Sequence, residues 1–357
     1  MTSLLLRTHP RGDPADVAGV VEWFGAMQAQ DLASGLWSLG ARLPGWTLAD
    51  VNAALERREA IRTWPMRGTV HFVPPADAHW MLDLMGVRAL AGAAARRATI
   101  GLDAATADRG VEVLGGALAG GRRLTRAQCV EALAEQGISG AGQFGYHLLW
   151  YASQRGVTCI APNVGNEQTF VLLDEWVPKP NRPDREEALG IIALRYFRSH
   201  GPTTRKDFAG WTGLTMADAK AGIAAAGDAL TTVTVDGVEM LADPALLDKL
   251  GEPVDDWWTL PGFDEYLLGF KDRSMMLDDA HKQAIIPGGN GVFQSTIVRA
   301  GRVVGTWKRT LGKKALTIDV LPLVPSGPAG RARAEHAFSH YGDFVGLPVV
   351  FRWSASG

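Results

Sequence analysis

Residues 185–242 read REEALGIIALRYFRSHGPTTRKDFAGWTGLTMADAKAGIAAAGDALTTVTVDGVEMLA. They follow Pro178-Lys-Pro-Asn-Arg-Pro183, where three prolines in six residues forbid helix and mark a linker. The spacing of apolar residues predicts a long helix over 185–199, a short one over 204–211 and a third over 216–225. Two alternating segments, 229–235 and 238–242, then flank Asp236-Gly237, a pair that tolerates the positive φ angles of a tight hairpin turn. Helix, helix, helix, hairpin is the plan of a winged helix.

The plan recurs upstream. Asp13 and Pro14 suit the cap and first turn of a helix whose apolar stripe is Val17, Val20, Val21, Phe24 and Met27. A second amphipathic segment carries Leu32, Leu36, Leu39 and Leu43, and Thr47 caps a third over 48–58. Residues 61–73 then predict a hairpin turning near Arg67-Gly68. In the next unit Thr125 opens a helix to Gln136, a second helix spans 141–155, and strands 157–161 and 168–173 meet across Pro162–Glu167. From Leu260 onward strands are expected at 285–287, 292–299, 302–311 and 316–321, with Ala300-Gly301 as one turn. A helix over 329–345 and a strand over 349–353 close the chain. The expected fold is therefore α+β: three tandem winged-helix units over 1–105, 106–178 and 184–255, then a β-rich domain over 256–357.

At 357 residues the chain has room for two or three domains, and 46% hydrophobic with 21% charged residues is ordinary for a globular protein. Two cysteines, Cys129 and Cys159, exclude a disulfide framework and a cysteine-based zinc site, and fit a reducing cytoplasm. The N-terminal apolar run is too short for a signal peptide, and no run of about 18 apolar residues predicts a membrane span. Charge is uneven along the chain. Residues 1–75 balance at 7 basic and 7 acidic, residues 76–280 carry 19 against 28, and residues 281–357 carry 10 against 3. A basic C-terminal third permits a polyanion partner without requiring one.

Phosphate-loop, dinucleotide, zinc-protease and serine-hydrolase signatures are absent from the sequence, so no metal or cofactor is expected. Gln28-Ala-Gln30 places two long amides near a helix end. On a helix they would diverge by about 200° and act as caps or meet water; in a non-helical turn both can face one cleft. Along the second strand of the 61–73 hairpin, Arg67, Thr69 and His71 share a face by alternation, a row suited to a phosphate backbone, a polar cleft or plain solvent. Lys308, Arg309, Lys313 and Lys314 gather around a second hairpin beside Trp307. That mixture suits phosphate pairing and stacking, though lysines also protect edge strands. In the junction segment, Asp264 and Glu265 can serve as a general acid/base pair or can pair with Lys271 and Arg273 to orient the domains; the structural role is the favoured expectation.

Taken together, Met27-Gln-Ala-Gln-Asp31, Arg62-Thr-Trp-Pro-Met-Arg-Gly-Thr-Val-His-Phe72 and Leu260-Pro-Gly-Phe-Asp-Glu-Tyr-Leu-Leu-Gly-Phe-Lys-Asp-Arg273 resemble the winged-helix alkylpurine DNA glycosylases, AlkZ-like, over nearly the whole chain. The resemblance implies a C-shaped scaffold with a DNA channel across its concave face. It also implies catalysis by Gln28 and Gln30, which match the Gln-x-Gln branch associated with bulky adducts and interstrand crosslinks. The expected substrate is double-stranded DNA containing alkylated purines, with no membrane and no obligate protein partner. A different class remains open at this point: a non-catalytic winged-helix regulator or architectural DNA binder.

Overall fold

The computed structural model describes residues 1–252 and 254–354. Three-helix groups followed by a hairpin occur three times along it. The first comprises helices Val17–Phe24, Leu32–Gly40 and Leu48–Glu56, with strand β1 (Met27–Gln28) between the first two and the hairpin β2 (Ile61–Met66) and β3 (Thr69–Val73) at the end. The second comprises Ala104–Leu118, Arg126–Glu135 and Gln143–Gln154, with β4 (Leu124–Thr125), β5 (Thr158–Val164) and β6 (Glu167–Leu172). The third comprises Arg185–His200, Arg205–Thr212 and Met216–Ala226, then β7 (Thr231–Val235) and β8 (Val238–Ala242). Strands β9 (Trp257–Leu260), β10 (Ser295–Arg299), β11 (Arg302–Leu311), β12 (Leu316–Pro322) and β13 (Val349–Trp353), with helix Gly327–Val345, form the C-terminal part.

Local chemistry explains most boundaries. Thr47, Thr125 and Thr204 each cap a helix in a reciprocal box with the residue three positions on, Asp50, Gln128 and Asp207. Three hairpins turn on two residues that both have positive φ: Arg67-Gly68 at 54° and 69°, Asp236-Gly237 at 49° and 78°, Ala300-Gly301 at 49° and 73°. This is the twist that lets two residues join antiparallel strands without splaying them.

Several expectations are corrected. The first helix is capped by Asp16, which accepts from Gly19 N at 2.8 Å, while Asp13 accepts from His9 N instead. Residues 285–287 do not form a strand: a short helix Lys282–Ile285 and a turn Pro287–Gly289 occupy them, as a proline with two glycines cannot sustain a ladder. Helices Ala78–Met85, Val87–Ala91 and Ala93–Ile100 fill a stretch for which no elements were expected.

The first two hairpins do not stand alone. Arg62 of β2 lies opposite Ile160 of β5, so one six-stranded sheet runs β1-β3-β2-β5-β6-β4. The C-terminal sheet runs β13-β12-β11-β10-β9, and β7-β8 form a separate pair. One continuous core joins the first two helical groups to the C-terminal sheet, through residues such as Trp37, Phe72, Phe170, Trp307 and Phe338. A second core packs helix 78–85 against the third group, around Tyr196, Phe197, Phe208 and Trp211.

Candidate active site

Gly25 ends the first helix with φ 78°, and a β-carbon there would lie 3.1 Å from the Arg195 side chain. The chain then leaves extended as β1 and is caught by β3, with Met27 opposite Phe72 and Gln28 opposite His71. Gln28 therefore sits on a sheet, not at a helix end. It is 8% exposed, and its side-chain Oε1 has no donor among the described residues. Gln30, two residues on, is exposed, and its Oε1 accepts from Val70 N of β3 at 3.1 Å. Both amides thus belong to the rim where β1 meets the hairpin, one buried and one open to solvent.

Beneath Gln28 lies Glu265, 1% exposed. Its Oε1 accepts from Gln28 N at 3.0 Å, and its Oε2 accepts from Trp211 Nε1 at 2.9 Å and lies 3.4 Å from His200 Nε2. Burial alone would raise the pKa of this carboxyl. The hydrogen bond and charge of His200, with the charge of Arg67, outweigh burial and hold it at about 2. At neutral pH Glu265 is an anion, unable to act as a general acid. Asp264 points elsewhere: it grips Arg42 at 2.8 and 2.9 Å, accepts from Ser38 Oγ at 2.6 Å, and caps helix Glu265–Leu268. Among the described residues neither carboxylate pairs with Lys271 or Arg273, which corrects that expectation. Lys271 is exposed and donates its backbone N–H to Asp207, and Arg273 donates to Leu267 O while its guanidinium lies 4.9 Å from the Phe293 ring centre.

On the hairpin, Arg67 takes the left-handed turn position and reaches back to His71, Nη2 to Nε2 at 3.4 Å. His71 is fully buried, and its Nδ1 lies 2.8 Å from Thr69 O. A carbonyl only accepts, so Nδ1 carries the proton and Nε2 is left to accept from Arg67. Burial first, then Arg67's charge, push the His71 pKa down to about 4. Thr69 is half-buried, and its hydroxyl has no partner among the described residues. His71 thus braces Arg67 from below, while Arg67 itself remains exposed.

This burial has a pH consequence. A histidine whose folded pKa is about 4 instead of 6.5 stays neutral in the fold while the unfolded chain takes up a proton. Stability therefore rises with pH between 4 and 6.5, by roughly 1.4 kcal/mol per pH unit for each such proton. His147, also lowered to about 4 by burial and by Arg97 and Arg96, contributes in the same window. Denaturant midpoints measured across it should climb, and less steeply in His71→Asn; a flat wild-type profile would contradict the neutral imidazoles.

The C-terminal hairpin approaches the same rim. Arg309 Nη2 lies 3.7 Å from Oδ1 of Asp31, the residue after Gln30. Lys308, Lys313 and Lys314 are exposed along β11 and its turn. Trp307 is 2% exposed and donates to Leu260 O and Thr296 O at 3.0 and 3.1 Å. It is a core residue, not a stacking surface. Among the described residues no three His, Cys, Asp or Glu side chains gather as a metal site, and no helix is long and apolar enough to cross a membrane.

A family model described as DNA glycosylase AlkZ-like matches residues 21–344. The chain belongs to that family. It is a DNA glycosylase, a hydrolase of N-glycosyl bonds, which decides against the non-catalytic regulator. A relative from Streptomyces sahachiroi, an interstrand DNA cross-link repair glycosylase, is 29% identical over 315 residues, 78% of this chain and 82% of the relative. The solved structure of S. sahachiroi DNA glycosylase AlkZ superposes with a TM-score of 0.76 at 25% identity, covering 98% of this chain and 96% of that one. The winged-helix and β-rich plan is thus that of a glycosylase. Within it, the contribution of His200 and Trp211 was not legible beforehand: they lie 65 and 54 residues from Glu265, with no spacing pattern to link them.

Proposed function

We propose that this glycosylase releases purines that already carry positive charge from alkylation at N7 or N3, bulky adducts and interstrand crosslinks included, with Gln28 and Gln30 placing the attacking water. The supporting observation is the buried Gln28 Oε1 that no donor among the described residues satisfies. A carbonyl in that state accepts readily from a water and can aim it at the sugar. A glutamine cannot take the proton outright, so the pair suits only a base that departs without acid assistance. A cationic alkylpurine does so, leaving as a neutral molecule.

The Glu265 anion, 3.0 Å from the Gln28 backbone nitrogen, adds negative potential beneath the site, where oxocarbenium charge develops on the deoxyribose. Arg67, against His71, and Arg309, beside Asp31, supply cations at the rim for the flanking phosphates. The product is an abasic site, since no lysine is called on to form a Schiff base. The test is a pair of duplexes, one with N7-methylguanine and one with uracil. We expect strand scission of the first after alkali, none before alkali, and none of the second. Release of uracil at a comparable rate would contradict the mechanism, because uracil leaves poorly without activation.

A further inference from the structure

At the β2–β3 turn, Gly68 forms part of the wall of a groove of about 580 Å³ that neither Gln28 nor Gln30 lines. Its other walls include Arg96, Arg126, Tyr146, His147 and Trp150, and none of its lining residues is acidic. Three features there point to an anion with an aromatic neighbour. First, helix Gln143–Gln154 opens into the groove from Gly142, and no side chain caps it; Phe144 N–H turns to Ala141 O, and no side-chain acceptor meets the first turn. Second, Arg96 and Arg126 are both exposed; Arg96 donates to Gln143 Oε1 at 2.6 Å, and the Arg126 guanidinium lies 5.7 Å from the Tyr146 ring centre. Third, His147 is only 4% exposed, yet its Nε2 has no partner among the described residues. Tyr146, by contrast, is 46% exposed, a large aromatic surface left open beside two guanidinium groups.

We propose that this groove holds a backbone phosphate and the adjoining deoxyribose of the DNA strand that continues past the hairpin tip. Arg96, Arg126 and the open helix end take the phosphate, and the Tyr146 ring packs against the sugar. The proposal rests on the reading of the hairpin as the element facing DNA, but it concerns affinity, not bond cleavage. Neither glutamine lines the groove, so it is a second anchor that holds the strand outside the damaged nucleotide.

Binding of an undamaged duplex to the full-length protein, followed by fluorescence anisotropy over a range of salt, tests it. In Arg96→Ala/Arg126→Ala the log–log salt slope should become shallower by about one to two, and Arg96→Lys/Arg126→Lys should keep most of it. Tyr146→Ala should weaken binding by about 3-fold with the slope unchanged, since the ring carries no charge. All three substitutions are at exposed side chains, so the fold is retained. Single-turnover excision at saturating protein should stay within about two-fold of wild type. A double alanine variant with wild-type slope and affinity would overturn the proposal, as would inorganic phosphate competing no better against wild type than against that variant. If wild type fails to excise alkylpurines while the slope still falls, the lesion chemistry is wrong and the groove stands.

Discussion

Replacing Gln28 by alanine should lower the single-turnover rate of alkylpurine release by about 10²- to 10³-fold, with duplex affinity within about two-fold of wild type. That range is what removal of one positioned polar group at a reacting centre typically costs. Binding should survive because Gln28 is nearly buried and offers DNA little surface, whereas its Oε1 is the acceptor left unsatisfied. The backbone should survive too, since the bond to Glu265 is made by the main-chain N–H, which alanine keeps. Gln30→Ala adds a second effect. The Gln30 carbonyl holds Val70 N of the hairpin, so its loss frees that N–H and loosens the strand carrying His71. The readouts separate: rate alone falls for Gln28→Ala, rate and thermal midpoint together for Gln30→Ala. A Gln28→Ala protein that excises at the wild-type rate would remove the amide from the mechanism.

Glu265→Ala should destabilise the fold by about 3–5 kcal/mol, the usual effect of breaking a buried, hydrogen-bonded charge cluster from one side. Its removal leaves the Gln28 N–H, the Trp211 indole and His200 without their shared acceptor. All three lie on different elements, so the loss is felt where β1, the third helical group and the C-terminal part meet. Glu265→Gln keeps the shape and one oxygen, so it should fold with a smaller deficit. It lacks the negative charge, however, and should still excise more slowly than wild type. Denaturant titration of both variants, with excision measured on the folded Gln variant, distinguishes scaffold from electrostatics. A loss below about 1 kcal/mol in Glu265→Ala would mean that water reaches the cluster and satisfies it.

Much of this architecture could be read from local signals. Asp236-Gly237 and Ala300-Gly301 specify their turns because positive φ at both positions is a property of two residues and their immediate bonds. Thr47, Thr125 and Thr204 specify helix starts for the same reason. Two other boundaries are decided by a competing contact or a breaker. Asp13 and Asp16 are both competent caps, and the competition is resolved by His9, whose N–H takes Asp13 away. Residues 285–287 are apolar enough for a strand, but Pro287 and the two glycines after it cannot sustain a ladder.

The amino-acid order by itself determined three helical groups, their hairpins, the β-rich ending and the two amides as candidates, because capping, turn chemistry and apolar periodicity act within a few residues. Only the tertiary structure decided what surrounds those amides. Gln28 extends as a strand because β3 is there to pair with it, and it rests on a carboxylate 237 positions away in the chain. Contacts at that separation leave no periodic trace: they are selected by how β1, the third helical group and the C-terminal part pack together, and burial then sets the charge and hydrogen-bonding state of Glu265, His71 and the Gln28 carbonyl.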